Sequence, residues 1–349
     1  MKLEHGGDWA GYKEQFGGEP LDFSASISPL GMPEGAYRAA CEALRRGDRY
    51  PDPLCRALRE ALSRHHGVPT ERIVCGAGAA DLIHRAVRAL HPRTAVIMEP
   101  SFSEYARALT IEGTRIRRCR LTEENGFRPG ADFPDLITPD TDMVFLCQPN
   151  NPTGVTTDPA LARSVLRRCR ETGAVLAADE CFLDFLEEPE RFSLLPELGD
   201  GKLLILRAFT KFCGMAGLRL GYCITDEPDL PEMLMACGQP WPVSSPAQAA
   251  GIAALADRDY GEMLRRLIRT ERPALAAGLE ALGLRVIPGE ANFLLFFSPD
   301  ASLGQKLAGE GVLLRDCGNF PGLGPGWYRA AVRTPEENAA LLQALRRCI

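Results

Sequence analysis

The chain has 349 residues, 45% of them apolar and 25% charged, with a net charge of −6 and a pI near 5.6; at roughly 100–200 residues per domain it can build two domains and an interface. Such an acidic balance excludes a basic face for nucleic acid or an anionic membrane. No apolar run approaches the ~18 residues of a membrane span and the start lacks the apolar core of a signal peptide, so a cytoplasmic protein is expected.

In chain order, a helical pattern over Pro53 to His66 precedes a short apolar strand, Ile73 to Cys75, which runs into Gly76-Ala77-Gly78-Ala79-Ala80. A further strand is expected at Ala95 to Met98. The next, Met143 to Cys147, ends in the polar turn Gln148 to Gly154. After a helix over Ala160 to Thr172 comes Val175 to Ala178, which ends in Asp179, and then Leu203 to Leu206, which leads to Lys211 and Arg219. Helices alternating with short apolar strands predict a largely parallel α/β sheet. After Pro242 the pattern changes to a long helical stretch, Ala247 to Leu282, and strands near Leu284 to Ile287, Phe293 to Phe297 and Tyr328 to Val332, which predicts a smaller α+β domain.

Two abundant residue types read as structure. The twelve cysteines contain no C-x-x-C pair, and Cys75, Cys147 and Cys223 sit inside apolar runs, which favours buried reduced thiols over metal ligands or disulfides. Arg117-Arg118 and Arg167-Arg168 are diluted by carboxylates or lie on helix faces, as solvated surface does.

Three strands thus deliver a polar residue each at the carboxyl edge of a parallel sheet, where ligands of open α/β folds sit. An amide, a carboxylate, an amine and a guanidinium together suit pyridoxal phosphate, which needs a lysine for its aldehyde, an anion for its ring nitrogen and donors for its phosphate. Lys211, at the mouth of a strand in LLILRAFTKFCGMAGLRLGY, is the Schiff-base candidate. Gly76-x-Gly78 lacks the third glycine of a dinucleotide fingerprint and has Asp81 there, so that alternative is weak.

At this point a family resemblance is carried by His5-Gly6-Gly7, DFSASISPLGMP at 22–33, RYPDP at 49–53, CGAGAADLI at 75–83, EPSFSEYARAL, LCQPNNPTG, ADECFLDF, FTKFCGMAGLRLGY, LLRDCGNFPGLG and YRAAVRTPEEN. The chain resembles the fold-type I, pyridoxal-phosphate-dependent enzymes of the aspartate aminotransferase superfamily. Within them it is similar to the branch of histidinol-phosphate aminotransferases and threonine-phosphate decarboxylases, the decarboxylase pattern being the nearer. The resemblance implies a large domain with a mostly parallel seven-stranded sheet over residues 46–240, a small α+β domain over 241–349, and residues 1–45 as an arm joining the small domain. It also implies a homodimer with shared active sites.

Residue by residue, the resemblance makes Lys211 the catalytic amine, Asp179 the partner of the ring nitrogen and Asn151 the donor to the phenolate oxygen. Without it, Asp179 also reads as a strand-end cap and Asn151 as part of an Asn-Pro turn. Arg219, Thr210 and the Gly78-Ala79 loop fall to the cofactor phosphate, the loop at a helix N-terminus, with Tyr50 reaching it from the other subunit. Phe102 falls where the family stacks a ring on the cofactor, although a core phenylalanine satisfies the same pattern. Arg329 matches the arginine that binds the substrate carboxylate, Arg315 and Arg333 match further arginines of the decarboxylase branch, and His5 matches an arm that closes over the site. Several arginines around one amino acid imply a second anion, and a phosphate suits such forks.

The pattern is broken at Ala208, Phe182, Ser26, Ser28 and Ala77, each of which removes reach or a donor. The expected activity is decarboxylation of L-threonine O-3-phosphate to (R)-1-amino-2-propanol O-2-phosphate for the cobalamin side chain. The rival is an aminotransferase for a substrate such as histidinol phosphate, using the same Lys211. A non-catalytic cofactor-binding regulator would need a nucleic-acid-binding module for which no residues remain.

Overall fold

A computed structural model describes residues 5–349. Its centre is a seven-stranded sheet in the order Ile73–Gly76, Gly221–Thr225, Leu203–Ala208, Val175–Asp179, Met143–Cys147, Thr94–Glu99 and Arg115–Arg120. All neighbours run parallel except around Gly221–Thr225, which is antiparallel to both of its partners. The four strands from Gly221–Thr225 to Met143–Cys147 are buried throughout, as an α/β sheet covered on both faces requires. Register aligns their ends: Cys147 lies opposite Asp179, Asp179 opposite Leu206, and Ala208 opposite Gly221. That alignment brings the polar residues that follow these strands to one edge.

Two strands depart from the sequence expectation. Arg115–Arg120 lies at the sheet edge, exposed or half-buried except at Cys119; its arginines blunt an otherwise unpaired edge, Arg118 meeting Glu99 at 2.9 Å and Arg117 meeting Asp140 at 2.7 Å. Gly221–Thr225 was hidden behind the glycine-rich segment that precedes it. The expected single helix from Ala247 to Leu282 is two, Ser245–Ala256 and Arg258–Ala281. The break has a local cause: the Asp257 carboxylate accepts from Tyr260 N at 3.1 Å and caps the second helix.

A second, four-stranded antiparallel sheet runs Arg315–Asp316, Trp327–Ala331, Phe293–Phe297 and Arg285–Val286. Helices Arg258–Ala281 and Pro335–Cys348 share its core through Leu264, Leu275, Phe293, Phe296 and Leu345. The start of the chain joins this unit: Leu21–Asp22 pairs in parallel with Val312–Leu313. A third apolar cluster ties helix Glu34–Leu44 to helix Ser245–Ala256 through Ala36, Ala40, Ala247 and Ala250. The cysteines are free thiols. No helix among the described residues is long and apolar enough to cross a membrane.

Candidate active site

The aligned strand ends open into a cleft of about 510 Å³. Lys211 sits on its wall, in the short helix Phe209–Phe212 that follows Leu203–Ala208 directly. Burial, and then the nearby cations Arg329 and Arg219, bring its amine down from the ordinary 10.5 to about 8. A larger share of neutral amine at neutral pH is what a nucleophile toward an aldehyde needs.

Beside it, the buried carboxylate of Asp179 accepts from the Tyr105 hydroxyl at 2.5 Å and from Cys181 N at 3.0 Å. Tyr105 is fully buried and stacked on Phe145 at 4.7 Å; burial, and then the charge of Asp179, hold its phenol far above the ordinary range, so it stays a donor. Asn151, in the turn after Met143–Cys147, accepts from Arg329 Nη1 through its Oδ1, which leaves the amide nitrogen as a donor.

The phosphate end is built from backbone. Gly78 has φ +88, and a Cβ there would stand 2.8 Å from Arg219 Nη2, while a Cβ on Gly221 would meet Ala79 N at 2.6 Å. Strand, loop and the N-terminus of helix Ala79–Leu90 therefore approach more closely than side chains permit. Arg219, itself left-handed at φ 57, donates to the carbonyls of Ala216 and Ala77 at 3.1 and 3.4 Å. Ala79, Thr210 and Arg219 line the cleft. A lysine, a buried carboxylate, an amide donor and a cradle of N–H groups with an arginine are the set that pyridoxal phosphate requires, and the residues fit it.

At the other end Arg315 and Arg329 line the cleft from adjacent strands, directly opposite one another in the pairing register. Arg329 also donates to Ser24 O at 3.0 Å; burial, with Arg315 adding to it, lowers its guanidinium from 12.5 to about 10. Arg315 donates to Asn319 Oδ1 at 3.0 Å. Phe102 and His5 also line the cleft, with ring centroids 5.7 Å apart.

Tyr50 and Arg333 are not brought to the cleft wall. Tyr50 is 79% exposed and stacks on Trp241 at 4.2 Å. Arg333 pairs with Glu337 at 2.7 Å and donates to Asp22 O at 3.2 Å. Of the residues that break the family pattern, Phe182 lines the cleft and packs edge-on to Phe293 at 5.1 Å, while Ala208 lines it without a hydroxyl. Ser28 accepts from the Tyr260 hydroxyl at 2.6 Å, and Ser26 Oγ is buried with no partner among the described residues.

Sequence reasoning missed three contributors. Tyr105 lies inside the quoted EPSFSEYARAL, three residues after Phe102, but a tyrosine in an amphipathic helix reads as core. Glu104 lines the cleft and is buried, with His5 on one carboxylate oxygen and His84 on the other. Asp22 organises the arm: Oδ1 accepts from Ser24 N at 2.7 Å and Ser24 Oγ at 2.6 Å, and Oδ2 from Trp9 Nε1 at 2.7 Å. Ser24 Oγ in turn accepts from Gly7 N at 2.7 Å.

The chain is similar to known proteins along nearly its whole length. The chain is 38% identical to the threonine-phosphate decarboxylase of Salmonella typhimurium, over 93% of this chain and 90% of that protein. It is 34% identical to histidinol-phosphate aminotransferase 1 of Cupriavidus pinatubonensis, over 94% and 88% of the two. Among solved structures, the histidinol-phosphate aminotransferase of Clostridium acetobutylicum superposes with a TM-score of 0.87 at 29% identity, covering 94% of this chain and 98% of that one. The family description "Aminotransferase class I and II" matches residues 19–345, and the chain belongs to that family.

Proposed function

We propose that the protein binds pyridoxal phosphate and decarboxylates L-threonine O-3-phosphate to (R)-1-amino-2-propanol O-2-phosphate, for the cobalamin side chain. The observation that carries this reading is the pair Arg315 and Arg329, opposed across two strands at the cleft that also holds Lys211 and Arg219. Two guanidiniums that converge on one cleft offer planar forks to anionic groups of a ligand. An amino acid with both a carboxylate and a phosphate supplies two such anions.

When bound, the cofactor supplies an electron sink for the pair left at the substrate α-carbon as carbon dioxide departs. The chain supplies the rest. Lys211 would hold the cofactor by its aldehyde, and its amine, having taken a proton from the substrate ammonium, would return one to the α-carbon. Asp179, fixed by Tyr105, would hold the ring-nitrogen proton through a charge-assisted bond. Asn151 would donate to the phenolate oxygen, while Arg219, Thr210 and the Gly78-Ala79 turn would hold the phosphate. Arg329 orients the carboxylate through a planar fork, Arg315 takes the second anion, Phe102 would stack on the cofactor ring, and His5 closes over the substrate with the arm. Arg333 stands behind the site and props the arm at Asp22.

We further propose a homodimer in which the exposed Tyr50 reaches the cofactor phosphate of the second copy, in the cytoplasm. Its domains would be 46–240 for the cofactor and 241–349 for the small domain, with 1–45 as the arm. The similarity to a histidinol-phosphate aminotransferase supports a second reading, amino transfer by the same Lys211.

The deciding experiment measures carbon dioxide and identifies the product from purified protein, pyridoxal phosphate and L-threonine O-3-phosphate, with and without 2-oxoglutarate. Aminopropanol phosphate and carbon dioxide without the oxo acid are expected. Glutamate formed without carbon dioxide would assign the protein to amino transfer.

A further inference from the structure

The arm delivers an imidazole to an unusual place. His5 Nε2 lies 2.8 Å from Glu104 Oε1, with its ring tilted 45° against Phe102. Glu104 is a buried carboxylate facing a cleft that collects anions, so it works against them unless covered. Its neighbours do cover it: His84 Nε2 stands 3.0 Å from Oε2 and Arg107 Nη1 3.5 Å from Oε1. Burial raises the Glu104 carboxyl, but the bonds from His84 and His5 outweigh burial and keep it below its ordinary value. The arm is held to this position by Gly6, where a Cβ would meet Ser24 O at 2.4 Å, and by the bond from Gly7 to Ser24.

We propose that Glu104 Oε1 and Phe102 form an imidazole-binding subsite which the chain fills with its own His5, so that the arm excludes imidazole-bearing substrates. The chain itself displays how the ligand sits, with a ring N–H toward a carboxylate and the ring tilted beside an aromatic. Filling the subsite takes that room from any competing ring, and specificity is then won by blocking the competitor as well as by binding the substrate. The inference deepens the decarboxylase reading of the same cleft and rests on it for the small substrate.

The test uses the holoenzyme and imidazole itself as probe, titrated by calorimetry into the native protein and into His5→Ala. His5 is half exposed on a terminal arm, so the substitution leaves the fold intact, and a chain lacking residues 1–7 serves as a second variant. Imidazole is expected to bind at least tenfold more tightly to both variants than to the native protein. Glu104→Gln on the His5→Ala background should return binding to the native level; if that double variant does not fold, the His5→Ala comparison decides alone. No gain in either arm variant, or a gain that survives Glu104→Gln in a folded protein, would overturn the subsite. Loss of carbon dioxide release from threonine phosphate in the native protein would instead sink the decarboxylase reading and leave the imidazole titration interpretable.

Discussion

Replacing Lys211 by methionine should stabilise the protein. The amine falls from 10.5 to about 8 on folding, chiefly through burial and then through Arg329 and Arg219. At about 1.36 kcal/mol per tenfold change in proton affinity, the charged form at pH 7 costs about 3 kcal/mol of folding free energy. Lys211 keeps partial exposure to the cleft, so water there reduces the figure to about 1.5–3 kcal/mol. The sign follows from proton counting. Between pH ~8 and ~10.5 the unfolded chain binds the proton and the folded chain does not, so stability of the native protein rises with pH across that window. Urea unfolding of the cofactor-free protein should therefore show Lys211→Met more stable by about 1.5–3 kcal/mol at pH 7, and by under about 1 kcal/mol at pH 10. A variant no more stable at pH 7, or an advantage that does not shrink with pH, would refute the argument that the site holds this amine under strain.

Tyr105→Phe deletes only the hydroxyl that donates to Asp179; a bond to a charged acceptor predicts a loss of about 1.5–3 kcal/mol in urea unfolding. Arg207 forms a buried pair with Glu180 at 2.6 Å and also meets Asp184 at 3.1 Å, so Glu180→Gln removes one of two carboxylates and should destabilise by about 1.5–3 kcal/mol, as the loss of bonds to a charged group does; a loss below about 1 kcal/mol by the same assay would contradict that pairing. Gly221→Ala places a methyl 2.6 Å from Ala79 N and should cost about 1–3 kcal/mol, together with a loss of pyridoxal phosphate affinity measured by equilibrium dialysis. Unchanged affinity would separate Gly221 from the phosphate cradle.

The parallel sheet and Lys211 were legible because buried strands read as continuous apolar runs, and because residues after such strands share an edge. Asp179, Asn151 and Arg219 were found on the same ground, and the structure brings them to one cleft. Arg115–Arg120 was not legible: an edge strand with four arginines in six residues carries no apolar pattern to count. The break at Asp257 was missed because the capping signal stands between two stretches of one helical period. Glu104 was invisible for a different reason. An acidic residue in the first turn of helix Ser103–Ile111 is already explained by the helix dipole, and only the fold shows that its carboxylate meets His5 and His84. Tyr50 is exposed and stacks on Trp241, so a role in the cleft rests on the proposed second copy.

The bond from Arg329 to Ser24 O joins residues 305 positions apart in the chain. At about 5–20 residues per second of synthesis, the arm waits roughly 15–60 s for the guanidinium that will hold it, whereas every strand of the seven-stranded sheet has by then left the ribosome. The phosphate cradle is thus assembled early and the cover late. A nascent chain passes through an interval in which the sheet edge stands open, and the last strands to appear both bring Arg315 and Arg329 to the cleft and fasten the arm at Ser24.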